Sequence, residues 1–206
     1  MVVTQPEEHA LNIEEQDWLT KARKGDDEAF ACLVERYQSP VVHLCYRMLG
    51  DASEAEDAAQ ETFWRAYTAL SRYDPDRSFV TWLLSIAAHY CIDLQRKKKL
   101  PTLEIDAYEE FDAPDSGPSP EHMMVVTESQ QAVRRVLAEL APLDRAAIIM
   151  RYWHEMSEEE ISAALNLTVS AVKSRLHRAR KALAEKLADA MEDRQEERNE
   201  YETYPV

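Results

Sequence analysis

The sequence predicts an all-α fold made of two small helical domains joined by a flexible acidic linker. Three observations predict it. Glycine occurs only 3 times in 206 residues, too rarely for a β-rich fold with many tight turns. Apolar side chains recur at spacings of three and four through both halves of the chain. Between the halves, residues 101–127 gather Pro101, Pro114, Gly117, Pro118 and Pro120 among acidic residues. Such a stretch buries too little apolar surface to offset the entropy of ordering it. The division is therefore an acidic N-terminal extension (1–17), a first domain (18–100), a linker (101–127), a second domain (128–187) and an acidic C-terminal tail (188–206).

Charge follows the same division. The chain carries −15 at pH 7. Residues 1–17 hold −5, residues 101–128 hold −8 and residues 187–206 hold −5, all expected to be flexible; residues 18–100 are neutral and residues 129–186 hold +3. The acidic total argues against nucleic acid, but the local clusters invite it: Arg96-Lys97-Lys98-Lys99, and Lys173, Arg175, Arg178, Arg180 and Lys181. No apolar run approaches the roughly 18 residues that span a bilayer, and the N-terminus lacks the pattern of a secretion signal. A cytoplasmic protein without membrane insertion is expected. Cys32, Cys45 and Cys91 read as small buried hydrophobes rather than a disulfide frame.

In the first domain Phe30, Leu33, Val34 and Tyr37 form one apolar set, and Val41, Leu44, Cys45, Met48 and Leu49 the next. From Glu54 to Leu70, Ala59, Phe63, Ala66 and Leu70 step by four, three and four, which makes a core stripe. Asp57, Gln60, Glu61, Trp64 and Thr68 fall on the other side. That face is either a solvated surface or, with a large aromatic beside carboxylates, an anchor for a partner. From Phe79 to Lys99 the core stripe is Leu83, Ala87, Tyr90 and Leu94. Trp82, Ser85, His89, Asp93 and Arg96 form a second stripe, extended by Lys97 to Lys99. An aromatic, polar groups and bases along one face suit single-stranded nucleic acid. The competing reading has Trp82 completing the core and the lysines closing a helix end. Ser71 to Ser78 is a turn-rich loop before that helix.

In the second domain Ser157 to Leu165 reads as a short capped helix and Asn166-Leu167 as a turn. Thr168 caps a following helix that continues to about Leu187. Val172, Leu176, Ala179, Leu183 and Leu187 form its core stripe. Ser170, Lys173, Ser174, His177, Arg178 and Lys181 lie opposite. A short helix, a tight turn and a basic helix make a helix-turn-helix, with base edges met near the N-terminal end and phosphates further along. The competing reading is a basic helix in a plain bundle. Capping boxes are expected at Ser53/Glu56, Ser157/Glu160 and Asn12/Glu15.

Three stretches carry a resemblance to a known family: Gly25-Asp26 through Phe30 with Tyr37; Asp57 through Tyr67 followed by Phe79 through Asp93; and Val172 through Leu183. Over residues 18–187 the chain resembles bacterial RNA polymerase sigma factors of the extracytoplasmic-function (ECF) subfamily. The resemblance implies a first domain that melts promoters and a second that reads them. It implies that Asp57, Gln60, Glu61 and Trp64 dock on the clamp helices of the polymerase largest subunit, and that the flap region is also a partner. Tyr73, Asp74, Arg77, Trp82, Ser85, His89, Arg96, Lys97 and Lys98 would capture the −10 strand. Ser170, Lys173, Ser174, Arg175, His177, Arg178 and Lys181 would read the −35 element. An anti-sigma factor and a stress or envelope response are further implications. His89 stands where the family often has Asn, Ala171 where Thr is common and Asn166 where Gly is common in the turn.

Two other classes are weighed. None of the six histidines forms an acid–base or nucleophile arrangement. His43 with Cys45 and His89 with Cys91 come nearest to metal-ligand spacing, but residues two apart on a helix point in different directions. Neither an enzyme nor a cofactor is expected. A polymerase-independent helix-turn-helix regulator is the alternative function, and it would bind duplex promoter alone, as a dimer.

Overall fold

In a computed structural model of the chain, residues 5–99 and 128–202 are described, with side chains at 13–98 and 133–186. Every regular element among them is helical: α1 (Gln5–Ala22), α2 (Asp27–Leu49), α3 (Ala52–Ala69), α4 (Phe79–Lys99), α5 (Glu128–Glu139), α6 (Pro142–Trp153), α7 (Glu158–Leu165) and α8 (Val169–Glu202), with one 3-10 turn at Leu70–Arg72. The linker expected at 101–127 lies outside the described residues.

Local chemistry sets the boundaries. The Asp26 side chain accepts from the Ala29 N–H at 3.0 Å and opens α2, with Asp27 and Glu28 favouring the positive end of the helix dipole. Gly50, at φ 87°, closes it in the left-handed region, its N–H donating to the Tyr46 carbonyl. Asp51 then caps α3 by accepting from Glu54 N–H at 2.8 Å. The Ser53/Glu56 box does not form, because the chain is already helical from Ala52 and Asp51 holds the capping position. Asn12/Glu15 does not cap either: α1 runs through both residues, and Glu15 instead accepts from the Tyr37 hydroxyl at 2.6 Å. That contact also removes Glu15 from the flexible extension expected at 1–17. Burial, and then this bond, push the Tyr37 phenol well above its usual range. The Ser157/Glu160 box forms in full.

Helices α1, α3 and α4 pack around α2. Of its predicted sets, Val34 and Leu49 are only partly buried, while Phe30, Leu33, Tyr37, Val41, Leu44, Cys45 and Met48 are buried. So are Ala59, Phe63, Ala66 and Leu70 of the α3 stripe and its 3-10 extension. Helix α4 differs. Tyr90 and Leu94 are only partly buried, whereas Leu84, Ala88, Cys91 and Ile92 are buried. The reason is tertiary: α4 packs against α2 and α3 and also against α6 and α7, so more of its circumference is covered. Cys91 lies against Cys45, and that contact, with burial, raises its thiol pKa.

Helices α5 to α8 form the second group. Of the predicted stripe, Val172, Leu176 and Ala179 of α8 are buried among α6 and α7, Leu183 is partly buried, and the side chain of Leu187 lies outside the described residues. Helix α8 does not stop near Leu187 but continues to Glu202, so most of the acidic tail is helical backbone. No Gly or Pro interrupts that stretch, and Ala, Glu, Lys and Arg all favour helix. The two groups pack together, α5 and α6 on α2, and α6 and α7 on α4.

The caps give a direct check. Ser157→Ala is expected to lower the unfolding free energy by about 1 kcal/mol, while Ser53→Ala changes it by less than about 0.5 kcal/mol. Urea unfolding followed by circular dichroism measures both.

Candidate functional site

Three exposed faces emerge, each on a different helix. The first is the outer side of α3. Asp57 and Gln60 are exposed and Glu61 is half-buried, accepting from Arg65 Nε at 2.7 Å. Trp64 is 63% exposed, opposite a stripe that is buried. Its ring stacks on Tyr67 at 6.3 Å; Tyr67 meets Phe30 edge-on at 5.0 Å, and its hydroxyl donates to Asp27 at 2.7 Å. The aromatic pair rims an open groove of about 1070 Å³ between α2 and α3. Val34, Val42, Ala59 and Phe63 form its floor, with Glu35 and Glu56 at its edge. Sequence reading missed the α2 wall of this groove. The available signal was that Phe30, Val34 and Val42 share a stripe offset from Leu33, Val41 and Leu44.

The second face belongs to α4 and the loop before it. Trp82, Ser85, His89 and Arg96 do share a side of the helix. His89, Arg96 and Lys97 are exposed. Ser85 donates to the Trp82 carbonyl at 2.6 Å, and the His89 ring Nδ1 lies 2.7 Å from the Ser85 carbonyl. Trp82 is half-buried, 5.1 Å from Tyr73 and 5.7 Å from Phe79, so it serves the core and offers an edge. Lys98 pairs with Glu54, and Arg96 lies 3.7 Å from Asp93. Asp74 and Arg77 are exposed and face each other at 3.5 Å. Tyr73 is a correction. It is 3% exposed, packed on Phe79 and Trp82, and its hydroxyl donates to the Arg77 carbonyl, closing the loop from inside. It has no face left for a base.

The third face is the helix-turn-helix. Asn166 adopts the left-handed conformation (φ 53°, ψ 49°) that ends α7, and the Thr168 hydroxyl accepts from Ala171 N–H at 3.1 Å to start α8. Ser170, Lys173, Ser174, His177, Arg178 and Lys181 are all exposed on α8. The Ser174 hydroxyl donates back to the Ser170 carbonyl at 3.0 Å. Lys173 lies 3.5 Å from Glu158, Arg178 3.7 Å from Asp144 and Lys181 3.7 Å from Glu185. Arg175 is the second correction. Its guanidinium donates to Asp144 at 2.6 Å and its Nε is buried, so it ties α8 to α6 rather than facing outward. The resemblance places it among the −35 residues, and Asp144 draws it inward.

Both helix groups match known family models. Residues 33–100 match the family model described as Sigma-70 region 2, and residues 130–183 match that of Sigma-70, region 4. The ECF RNA polymerase sigma factor SigW of Bacillus subtilis (strain 168) is 39% identical over 181 residues, covering 83% of this chain and 95% of the relative. The chain belongs to the ECF family of RNA polymerase sigma factors. It is thus a transcription initiation factor that directs RNA polymerase to promoters, and not an enzyme. Among solved structures, CnrH in complex with the cytosolic domain of CnrY is similar with a TM-score of 0.64 at 26% identity, covering 86% of this chain and 98% of that one. The sigma factor RpoE in complex with the anti-sigma factor NepR, from Bartonella quintana, shares the fold at 20% identity, with a TM-score of 0.58 over 77% of this chain and 96% of its own. No described helix is long and apolar enough to cross a membrane.

Arg175 separates from the exposed positions by experiment. Arg175→Ala leaves Asp144 without its close partner in a half-buried site and is expected to cost about 2 kcal/mol of stability. Arg178→Ala, whose side chain is mostly solvated, is expected to change stability by less than about 0.5 kcal/mol. Thermal unfolding of the two variants side by side checks this.

Proposed function

We propose that this sigma factor divides its work among the three faces. The outer side of α3, through Asp57, Gln60, Glu61 and Trp64, docks on the clamp helices of the polymerase largest subunit. The loop at Asp74–Arg77 and the α4 stripe of Trp82, Ser85, His89, Arg96, Lys97 and Lys98 hold the melted −10 strand, the ring edges stacking on bases and the cations meeting phosphates. Helices α7 and α8 read the −35 duplex in the major groove, with Ser170, Lys173 and Ser174 toward base edges and His177, Arg178 and Lys181 toward phosphates. On this reading residues 18–100 and 128–187 are the two functional units, 101–127 is their tether, and the acidic ends at 1–17 and 188–206 discourage binding to free DNA. The work is done in the cytoplasm, where RNA polymerase acts, in a stress or envelope response. An anti-sigma factor would hold the chain inactive, and the similar sigma factor RpoE is itself found in complex with one, NepR.

The observation that supports this best is Trp64, which is 63% exposed on a helix whose opposite stripe is buried. A large aromatic held in water at the rim of a groove is what a binding anchor requires. The acidic rim of that groove suits a basic partner surface.

Gel-shift lanes of labelled promoter, with and without core polymerase, test the whole reading. Binding is expected only with core; equal binding in both lanes would return the polymerase-independent regulator. Trp64→Ala is expected to weaken core binding at least about tenfold at unchanged helical content. Asp57→Ala combined with Gln60→Ala is expected to abolish it. Arg178→Ala should weaken −35 binding nearly uniformly across sequences and reduce the salt slope by about one.

A further inference from the structure

The seam between the two helix groups has chemistry of its own. On one side stands the last turn of α2. On the other, Arg145 of α6 donates to the Met48 carbonyl, and Arg134 of α5 donates to the Gly50 carbonyl and the Tyr46 hydroxyl while lying 5.0 Å over the Tyr46 ring. In the same turn, Arg47 of α2 lies 5.0 Å over the ring of Trp153, the last residue of α6. His154 follows directly, and its Nε2 is buried without a hydrogen-bond partner. The charged groups that act on it are Arg47 and His43, both from α2. No carboxylate of α6, α7 or α8 is found to offset them among the described residues, and Glu155 beside it is exposed. Around His154 the seam therefore sets Arg47, His43 and His154 together, with no carboxylate among the groups that act on it.

We propose that this seam is a clasp that holds the two helix groups closed while His154 is neutral and releases them when it is protonated. A proton on the Nε2 of this half-buried ring would sit near a permanent cation and a second imidazole, at a buried atom with no acceptor to receive it. Separating the groups relieves both problems. Burial, then Arg47, then His43, lower the His154 pKa from 6.5 to about 4, and burial followed by Arg47 lowers that of His43. The sign follows from linkage. A base whose pKa is depressed in the closed form favours closure fully above its open-form pKa of about 6.5, and loses that contribution as pH falls toward 4. For His154 alone the open-to-closed ratio rises roughly tenfold between pH 7.5 and pH 5.5.

Opening matters if the proposed reading of the promoter holds, and the clasp's relevance rests on that reading. Elements at −10 and −35 lie about 25 base pairs apart, roughly 85 Å along a duplex. A compact chain of 206 residues has a radius of gyration of about 17 Å. The closed form cannot reach both elements, so each clasp contact that delays opening delays promoter reading.

Small-angle scattering of the full chain between pH 8 and pH 5.5, without polymerase or DNA, tests the clasp independently of the promoter reading. The contacts of Arg134 all cross the seam, so Arg134→Ala serves as a background in which opening is easier to observe. The radius of gyration is expected to rise as pH falls, at constant far-UV circular dichroism, and to rise more in Arg134→Ala. His154→Gln in that background is expected to remove the rise. His43→Gln, at an exposed position that tolerates change, is expected to weaken it. A radius that does not respond to pH in either background overturns the proposal. So does a rise that survives His154→Gln undiminished, or one that appears only with loss of helical signal.

Discussion

The last carbonyls of an α-helix have no partners within the helix, and at the end of α2 the whole tertiary arrangement is organised around supplying them. Gly50 turns the chain and satisfies Tyr46. The Met48 carbonyl receives two donors, Gln95 from α4 and Arg145 from α6, and the Gly50 carbonyl receives Arg134 from α5. Three elements distant in sequence thus converge on one turn. Arg145 offsets the cost of its burial by bonding also to the carbonyls of Ala138 and Leu140, which fixes the corner between α5 and α6. Burial lowers its pKa, yet an arginine remains charged, so the carbonyl dipoles around it are a structural requirement.

Around that corner the three candidate faces are left outward by exclusion. The apolar stripes of α2, α3 and α8 are largely consumed by the core, and apart from Ile13 and the floor of the α2–α3 groove the outward side chains are mainly polar, charged or aromatic. Many of the exposed cations rest against acids: Lys98 on Glu54, Arg96 near Asp93, Lys173 near Glu158, Arg178 near Asp144. Solvated pairs of this kind contribute between about 0 and 1 kcal/mol each. Breaking such a pair therefore costs little. The same arrangement keeps isolated basic helices from presenting an unbroken positive surface, in a chain whose net charge is −15.

Much of the fold was legible because helical periodicity and capping are local. The stripes of α2, α3 and α8, the Ser157 box and the left-handed Asn166 follow from residues within a few positions of each other. The failures have the opposite character. Tyr73 and Arg175 look like exposed ligands in sequence, one an aromatic in a polar loop and the other a base among bases. The first is drawn inward by Phe79 and Trp82, the second by Asp144, 31 residues away. The second buried side of α4 was invisible for the same reason, since its cover comes from α6 and α7. The groove beside Trp64 needed two helices to be set side by side before it existed.

By itself, the sequence determined the all-helical class, the helix-turn-helix and the separation of acidic from basic segments. Each depends on backbone propensity and on side-chain spacing along a single helix, and both are written in neighbouring residues. Only the tertiary structure decided which candidate ligands face water, where the α2–α3 groove opens, and how two helix groups share the end of α2. Those outcomes depend on which distant carbonyl, carboxylate or ring a side chain finds within reach, and helical spacing carries no record of that.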